Sequence, residues 1–563
     1  MENTETVRTA ISAQPFPTET YGPPFSEVSH LLPALSTTSW GNWDPAATST
    51  PTDEADPYGQ AAYSALWQAA SVRNFTRGIY STTVAPTPVP NAELVVPPPL
   101  YFTPAGCYSF PCDFMLGIDS AAAQVEGAVA DEGRTPAAPD FLVEFARSIG
   151  ADTSDMEDDF IATENYYLYK QDIERLASVG IKYYSFNIAW SRILPFAVPG
   201  TPVNKQALAH YDDLINFAIE KGVRPVVTLT HFDTPAQFIG GNATGLSRRP
   251  LLGYLNLGYQ NETFEDAFVH YGKIVMAHFA NRVSIWITFN EPLTGVDTGP
   301  SVDHIIKSHA RLYHFYMDEL KGTGKVSIKM GAAPALPQVP SNASHVAATK
   351  HYNDLNIGTF LNPLALGQDF PDAYKQTIQD YVPLTQDDLA YLNHTLADIA
   401  ACAANNVSNP HYPQCVSTTE ITANGWNEGY HEEYIVYTAS VYVRAQLNYL
   451  WNTYQMPLVI TEFGFSTTAS RASAALNDIQ FDVLRSEHYL SFLAEVLKSI
   501  WEDGVHVMGA FMWSSVDNWE WGTFSHQFGL QHLNRTTQQR VYKRSIFDVV
   551  DFVEARMTNS SEC

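Results

Sequence analysis

The chain has 563 residues, of which 45% are hydrophobic and only 16% are charged. This apolar content is enough to bury a large core, which excludes a wholly disordered chain. The 32 basic and 60 acidic residues leave a formal net charge of −28. Nucleic acids and anionic membranes select basic surfaces, so neither is expected as a partner. No apolar run reaches the length of about 18 residues that a membrane span requires.

The first 105 residues differ in composition from the rest of the chain. They are rich in Pro, Ser and Thr, and only Ala61–Ala70 has a helix-like pattern. We expect this segment to be an extension that wraps the main domain or is partly disordered. The predicted organisation is therefore an extension at 1–105, a main domain at 106–555 and a tail at 556–563.

Several features are typical of the secretory pathway, although the N-terminus shows no signal-peptide pattern. Eight Asn-x-Ser/Thr sequons permit N-glycosylation. The five cysteines form two local pairs, Cys107/Cys112 and Cys402/Cys415, with Cys563 left over. Both pairs lie in Pro-rich loop sequence, as disulfides would, and their spacings fit no zinc site. We therefore expect an extracellular or secretory-pathway location.

From residue 113 onward, short apolar runs alternate with amphipathic helical stretches such as Ala207–Lys221 and Phe264–Ala280. Because the runs are almost continuously apolar, they are typical of a parallel sheet covered by helices. Repeated over most of the chain, this pattern predicts an α/β fold, a (β/α)8 TIM barrel. The predicted strands are Phe114–Ala122, Tyr183–Trp190, Arg224–Phe232, Val283–Glu291, Val326–Ala333, Leu458–Phe465 and Val507–Ser515.

The predicted strands number seven, one fewer than a barrel of this kind requires. The gap lies between Ala333 and Leu458, where the sequence holds no convincing strand. We therefore predict that the sixth barrel strand is missing or truncated.

Two carboxylates stand at the carboxyl ends of predicted strands, where barrels of this class place their active sites. Glu291 lies in Thr-Phe-Asn-Glu-Pro and Glu462 in Ile-Thr-Glu-Phe-Gly. A carboxylate in an apolar strand is costly, so for the pair we favour a functional role over structural ion pairs. Two carboxylates facing each other across a pocket are the machinery of glycoside hydrolysis.

Other side chains at these strand ends suit sugar recognition. Asn290 precedes Glu291 and suits a hydrogen bond to a sugar 2-hydroxyl. For His231 we favour a hydroxyl contact over a satisfied core histidine. Trp513 and Trp521 offer flat faces for a pyranose ring, although ordinary core packing would explain them equally well.

Seven segments between about residues 113 and 550 carry a recognisable pattern. They are SAAAQVEG at 120–127, FNIAWSRILP at 186–195, VVTLTHFDTP at 226–235, VSIWITFNEP at 283–292, LVITEFGF at 458–465, FMWSSVDNWEWGTFSHQFGL at 511–530 and RVYKRSIFD at 540–548. In sequence and in order these segments resemble glycoside hydrolase family 1, the β-glucosidase family, and more narrowly its fungal branch with long N-terminal extensions.

The resemblance implies a role for each candidate residue. Glu291 would be the general acid/base and Glu462 the nucleophile of a retaining mechanism. Trp513 would form the floor of the sugar site. The side chains that would hold the sugar hydroxyls are Gln124, His231, Asn290, Glu520 and Trp521. The resemblance implies no metal and no cofactor.

The chain departs from the family pattern near the nucleophile. The family usually has an arginine in the second strand that contacts the nucleophile, and Ser185 occupies that position here. A neighbouring positive charge keeps a carboxylate ionised. Because serine supplies no such charge, Glu462 must rely on other donors. Phe232 and Phe463 replace the Trp of His-Trp-Asp and the Asn of Asn-Gly, which should reshape the pocket without removing its chemistry.

A larger departure lies at the sixth strand. Asp398 resembles the start of that strand, whereas the sequence from Ile399 onward resembles the loop after it. The strand core is absent, together with the Tyr that in the family donates a hydrogen bond to the nucleophile. A gene-model or splicing error, a pseudoenzyme, or a loop recruited as a strand would explain this, and we favour the first.

The predicted function is a retaining β-glycosidase, and specifically a β-glucosidase. It would act on terminal non-reducing β-D-glucosyl residues of cello-oligosaccharides or of aryl or alkyl β-glucosides. The alternative is a catalytically impaired carbohydrate-binding pseudoenzyme of the same fold. An endo-acting hydrolase would need an open groove, whereas the cluster at 517–521 suggests a blind pocket. The sequence does not determine the aglycone or the oligomeric state. It also does not determine the preference among glucose, galactose and fucose.

Overall fold

The computed structural model describes residues 9–11, 15–16, 19–46, 52–72, 76–97, 107–239, 257–292, 298–331, 334–392, 419–432, 436–467 and 475–558. The structural features below belong to these residues.

One parallel sheet organises the molecule. In chain order the strands are β1 (Thr37–Thr38), β2 (Met115–Ile118), β3 (Tyr183–Asn187), β4 (Val203–Asn204), β5 (Arg224–Thr228), β6 (Ile285–Asn290), β7 (Lys325–Lys329), β8 (Leu458–Phe463), β9 (Val507–Met512), β10 (Gln531–Asn534) and β11 (Gln539–Tyr542). Seven of them form the sheet, in the order β7-β6-β5-β3-β2-β9-β8. In addition, β1 pairs in parallel with β4, and β10 pairs antiparallel with β11.

Helices cover the outer face of this sheet. The α-helices are Phe25–Val28, Gln60–Ala70, Ala122–Val125, Leu142–Ser148, Asn165–Ser178, Trp190–Ile193, Lys205–Glu220, Ala236–Ile239, Phe264–Phe279, Gly299–His314, Ala343–Asn353, Thr359–Leu366, Asp372–Thr377, Gln386–Leu392, Val443–Tyr454, Leu476–Gln480, Val483–Glu502 and Arg544–Glu554. Short 3₁₀ segments lie at Ser29–Leu31, Asn91–Glu93, Ala138–Phe141 and Ser440–Tyr442, and π-helical turns at Phe315–Glu319 and Asp354–Gly358.

Each predicted strand is present, but each ends one to four residues before its predicted end. The predicted run Arg224–Phe232, for example, forms a strand only over Arg224–Thr228. Beyond that point the backbone leaves the ladder, and Phe232 has a positive φ of 61°. The apolar pattern continues past the strand because Leu229 is buried and Phe232 is partly buried, although neither belongs to the strand.

The fold is a (β/α)8 TIM barrel in which the described residues supply seven strands. The strands β7 and β8 end the sheet, and no strand among the described residues lies between them. This agrees with the predicted gap at the sixth strand. The junction of Asp398 with Ile399 lies outside the described residues.

The alternation of side chains along each strand separates two cores. One buried cluster lies inside the barrel and consists of Met115, Val226, Ile287 and Phe511. Leu116, the next residue after Met115, belongs instead to the larger core between the sheet and the helices. Because alternate side chains share one face, the residues that follow Met115 at every second position also face the interior. This places polar residues at the carboxyl ends of several strands on the inside.

The N-terminal extension packs against the barrel through aromatic residues. Trp67 is fully buried and donates a hydrogen bond of 2.9 Å from Nε1 to the carbonyl oxygen of Arg134. Its ring stacks on Trp43 with 5.5 Å between the ring centroids. The Tyr63 hydroxyl donates to the carbonyl oxygen of Ala130 at 3.0 Å. The division of the chain at residue 105 stays a prediction.

The Trp67→Ala variant should test the contribution of this packing to stability. Truncating a fully buried tryptophan costs about 3–5 kcal/mol of unfolding free energy, through lost apolar burial and the cavity that remains. Urea unfolding monitored by circular dichroism measures the difference in unfolding free energy between the variant and the wild type. The control is Trp426→Ala, because Trp426 is 77% exposed and such a change costs within about 0.5 kcal/mol. Equal stability of the two variants would contradict this packing.

The predicted pairing of Cys107 with Cys112 is wrong. Cys107 is an exposed free thiol, whereas Cys112 is disulfide-bonded. Between them, Phe110 donates from its backbone N–H to the carbonyl oxygen of Arg556 at 2.7 Å. The segment is therefore tied to the C-terminal region, and closeness in sequence does not determine the pairing. The other cysteines, 402, 415 and 563, lie outside the described residues.

Candidate active site

A cavity of about 1230 Å³ opens at the carboxyl ends of the barrel strands. Asn290 is fully buried at the end of β6 and is not part of its wall. The other predicted site residues all line the cavity: Gln124, His231, Glu291, Glu462, Trp513, Glu520 and Trp521. The fold therefore brings together side chains that are almost 400 positions apart in the sequence.

Glu291 is held against the end of β7. Its backbone N–H donates to the carbonyl oxygen of Lys329 at 2.8 Å, and its φ of 43° is unusual for a residue with a side chain. Such backbone conformations are often concentrated at active sites. A Cβ atom on Gly331 would lie 2.6 Å from the Glu291 carboxyl carbon, so only glycine leaves room for this side chain.

Glu462 lies on β8 and is paired with a buried cation. Its Oε2 is 2.6 Å from the Lys329 ammonium, and the exposed side-chain fraction is 28% for Glu462 but 2% for Lys329. Lys329 also forms an ion pair with Asp119, which is equally buried. The lysine thus lies beneath the cavity wall, and the carboxylate above it faces the cavity.

The pKa values of both glutamates are raised. Burial is the largest cause for each; it raises the pKa of Glu462 to about 7, and it also raises the pKa of Glu291. The Asp119 charge raises both values further, while Lys329 opposes the change. Burial alone would lower the pKa of Lys329, but Asp119 and Glu462 outweigh it and raise that pKa.

The charges in this cluster indicate where a proton is held. Asp119, Glu291 and Glu462 are three carboxyl groups that share one ammonium, so burial favours keeping one of them protonated. Lys329 contacts Glu462 directly, which favours the ionised form of that carboxyl. Among the described residues no cation forms an ion pair with Glu291. The Glu291 charge is one cause of the raised pKa of Glu462, so a proton on Glu291 favours the ionised form of Glu462, the carboxyl that contacts Lys329.

A network of hydrogen bonds fixes Glu520 at the opposite wall of the cavity. Trp513 donates from Nε1 to one Glu520 oxygen at 2.9 Å, and Gln124 donates from Nε2 to the other at 3.0 Å. Burial raises the pKa of Glu520 to about 8, although the hydrogen bond from Trp513 opposes it. The buried Gln124 Oε1 accepts no hydrogen bond from the described residues, so it is available to a ligand hydroxyl.

Aromatic rings complete the cavity around His231. The His231 ring stacks against Trp513 and Trp521 with centroid distances of 5.8 and 6.5 Å. Phe232, which replaces the family's tryptophan, meets the edge of Trp521 at 5.3 Å. Burial, aided by the Lys329 charge, holds the pKa of His231 well below its ordinary value. His231 is therefore a neutral imidazole that can donate one hydrogen bond and accept another.

Asn290 is buried beside Lys329, its register partner on β7. Neither its side-chain oxygen nor its nitrogen has a hydrogen-bond partner among the described residues. Buried amides without partners are uncommon in proteins. This is consistent with a group that pairs with a bound ligand.

Sequence reasoning did not identify Lys329 or Asp119 as site residues. A signal was present, since Lys329 ends the apolar run Val-Ser-Ile-Lys and Asp119 follows Leu-Gly-Ile at the end of β2. Buried charges in such runs are rarely left unpaired. What the sequence does not reveal is that these two residues meet across the barrel.

Within the described ranges, no group of three or more metal-ligating side chains is arranged around a common point.

Comparison with known proteins extends over most of the chain. Residues 107–556 match the sequence profile of Glycosyl hydrolase family 1. The chain is 29% identical over 480 residues to Beta-glucosidase 42 of Arabidopsis thaliana, covering 78% of this chain and 92% of that protein. It is also 29% identical over 481 residues to Beta-glucosidase 1B of Phanerodontia chrysosporium, covering 77% of this chain and 84% of that protein.

Solved structures of similar fold agree with this match. A family 1 beta-glucosidase of the fungus Humicola insolens in complex with glucose has a TM-score of 0.69, at 23% identity, over 80% of this chain and 100% of that chain. The beta-glucosidase of Trichoderma harzianum also has a TM-score of 0.69, at 24% identity, over 81% and 100%. These likenesses establish the fold. Together with the profile match, which spans the barrel and all the candidate site residues, they confirm the predicted family: the chain belongs to glycosyl hydrolase family 1.

Proposed function

We propose that the protein is a retaining β-glucosidase in which Glu291 is the general acid/base and Glu462 is the nucleophile. One observation carries this proposal. The two glutamates line one cavity, and within the described part of the chain Glu462 forms an ion pair with a cation whereas Glu291 forms none. This asymmetry supports an ionised Glu462 and a protonated Glu291, which is the arrangement that double displacement at a sugar carbon requires.

In the first step, a carboxylate oxygen of Glu462 attacks the anomeric carbon, and the glycosidic C–O bond breaks. Glu291 gives its proton to the departing oxygen, so the aglycone leaves as an alcohol. The products are a glucosyl ester on Glu462 and an ionised Glu291.

In the second step, Glu291 takes a proton from a water molecule, whose oxygen attacks the anomeric carbon. The ester bond to Glu462 breaks, and both carboxyl groups return to their starting states. Because the sugar carbon is attacked twice from opposite faces, glucose is released with its β configuration.

The polar wall of the cavity supports recognition of a single terminal sugar. Glu520 is held by Trp513 and Gln124 with both of its oxygens turned toward these donors. Remaining hydrogen-bonding capacity on Glu520 and on Gln124 Oε1 suits adjacent sugar hydroxyls. The relatives that bear the name beta-glucosidase, and the glucose-bound structure of similar fold, support glucose as the sugar.

Proton NMR of the reaction with 4-nitrophenyl β-glucoside tests the stereochemical outcome. We expect β-glucose as the first product, followed by slow mutarotation to the equilibrium mixture. If α-glucose appears first, the enzyme inverts, and Glu462 is not a nucleophile.

A second candidate function is supported by the strand order. Because no described strand lies between β7 and β8, the support of the nucleophile is incomplete compared with a closed barrel. If this loss prevents catalysis, the protein would bind carbohydrates without hydrolysing them. Glucose binding detected by calorimetry, with no hydrolysis of an activated aryl glucoside, would favour this candidate.

We further propose that the protein passes through the secretory pathway. Cys112 is disulfide-bonded, which is typical of oxidising compartments. The sequon residues Asn342 and Asn534 are exposed. No helix in the part of the chain that the structure describes is long and apolar enough to span a membrane. Enzymatic removal of N-glycans from protein produced in a eukaryotic host should lower its apparent mass, and an unchanged mass would contradict glycosylation.

A further inference from the structure

We infer that Lys329 is the positioning residue and counter-ion of the nucleophile, and that it supplies from β7 the positive charge that β3 lacks. This inference rests on the proposed function. It assigns to Lys329 a role in the reaction that no motif of the sequence indicates.

The position of Lys329 follows from the strand geometry. Lys325, Ser327 and Lys329 are alternate residues of β7 and share one face of the strand. The Lys325 ammonium contacts the sulfur of Met508 at 3.2 Å, and Met508 packs on the cluster inside the barrel. Lys329 therefore also faces the interior, at the end where the cavity opens.

The position expected to hold a cation carries no charge in this chain. Ser185 on β3 is buried and pairs with Val226, whose side chain belongs to the interior cluster. Ser185 therefore faces the interior, but a hydroxyl cannot neutralise a carboxylate. In the described part of the chain, the salt bridge of Glu462 is made by Lys329.

Lys329 is held in place by Asp119. The ammonium is shared between Asp119, which follows β2, and Glu462 on β8. Since β7 and β8 are the two ends of the sheet, the ion pair joins strands that are not hydrogen-bonded to each other. The lysine thus fixes the nucleophile across the gap in the barrel wall, and Asp119 limits its movement.

Other charged or titratable groups also act on Glu462. They come from the strand ends and from the helix Val483–Glu502 behind β8. The charges of Asp119 and Glu291 raise the pKa of Glu462, and the Glu462 charge in turn raises the pKa values of Glu520 and Tyr489. His231 is neutral because burial lowers its pKa. Lys329 is thus the group among these that favours the ionised nucleophile.

The experiment follows inactivation by 2,4-dinitrophenyl 2-deoxy-2-fluoro-β-glucoside as a function of pH. This reagent needs no acid catalysis for its leaving group, so its rate reports the ionised fraction of Glu462. In the wild type, the rate should fall as the pH drops through the pKa of Glu462. Lys329→Met removes the group that lowers this pKa, so the midpoint of the fall should move to higher pH by about 1–3 units.

Two further variants separate this role from structural damage. Lys329→Arg keeps the positive charge and should return the midpoint toward that of the wild type. Asp119→Asn removes a charge that raises the pKa of Glu462, so its midpoint should move to lower pH. A structural defect alone would lower the rate in both Lys329→Met and Asp119→Asn, without moving their midpoints in opposite directions.

Control variants keep the test decisive. Lys543 is as buried as Lys329 and forms an ion pair of 2.7 Å with Asp517, so Lys543→Met should lower stability without moving the midpoint. If Lys329→Met does not fold, the double variant Lys329→Met/Asp119→Asn removes both buried charges together. Its midpoint should still move to higher pH, because Lys329 outweighs Asp119 in its effect on Glu462.

The outcomes distinguish this inference from the proposed function. An unchanged midpoint in folded Lys329→Met, with a wild type that is inactivated normally, would overturn the inference and leave the proposed function intact. A wild type that the reagent does not inactivate at any pH would contradict the proposed function, and the inference with it.

Discussion

Replacing Glu462 with glycine should lower kcat/KM for aryl β-glucosides by about 10⁴-fold or more, since the variant lacks the group that forms the covalent intermediate. The remaining cavity should admit a small anion beside Lys329. Added azide should therefore restore turnover of an activated glucoside and give α-glucosyl azide, because a single displacement inverts the anomeric carbon. Steady-state kinetics and NMR of the product measure both effects.

The matched control for this variant is Glu495→Gln. Glu495 lies on the helix behind β8 and pairs with Lys498 at 2.5 Å, away from the cavity. Its variant should keep kcat/KM within about threefold of the wild type, since it removes no group that lines the cavity. Full activity of the Glu462→Gly variant, or β-glucosyl azide as its product, would contradict the assignment of the nucleophile.

The Glu291→Gln variant should show a loss that depends on the leaving group. For an alkyl glucoside, which needs a proton on its departing oxygen, kcat/KM should fall by about 10²–10⁴-fold. For a 2,4-dinitrophenyl glucoside, kcat/KM should change little, because that group leaves without a proton. Deglycosylation then becomes limiting, so a burst of dinitrophenol should precede a slow steady state.

Azide provides an independent check on Glu291. An anionic nucleophile needs no base, so azide should accelerate the slow step of the Glu291→Gln variant and give β-glucosyl azide, the retained product. An equal loss for alkyl and dinitrophenyl glucosides would show that Glu291 is not the acid. The two azide products, α from the Glu462 variant and β from the Glu291 variant, then assign both roles.

The sequence predicts the proposed catalytic pair because each glutamate interrupts an apolar run. Glu291 and Glu462 are local signals, and their placement at strand ends follows once the strands are recognised. The strand ends are less well predicted. Leu229, for example, remains buried after its strand stops at Thr228, so the apolar pattern continues where hydrogen-bonded pairing does not.

Interactions between distant parts of the chain account for what the sequence did not predict. Lys329 meets Asp119 from a position 210 residues away, and no local pattern encodes that distance. The cysteines show the same limit. Cys107 and Cys112 are close in sequence, yet of the two Cys112 is disulfide-bonded and Cys107 is a free thiol. Phe110, which lies between them, bonds to the C-terminal region, a contact that no local pattern predicts.

Trapping the covalent intermediate tests the central claim most directly. The protein is incubated with 2,4-dinitrophenyl 2-deoxy-2-fluoro-β-glucoside, its intact mass is measured, and the adduct is located by peptide mapping. We expect one fluoroglucosyl group per chain, on the peptide that contains Glu462, since fluorine slows release of the ester. An adduct on another residue, or no adduct on folded protein that still binds glucosides, would contradict the account.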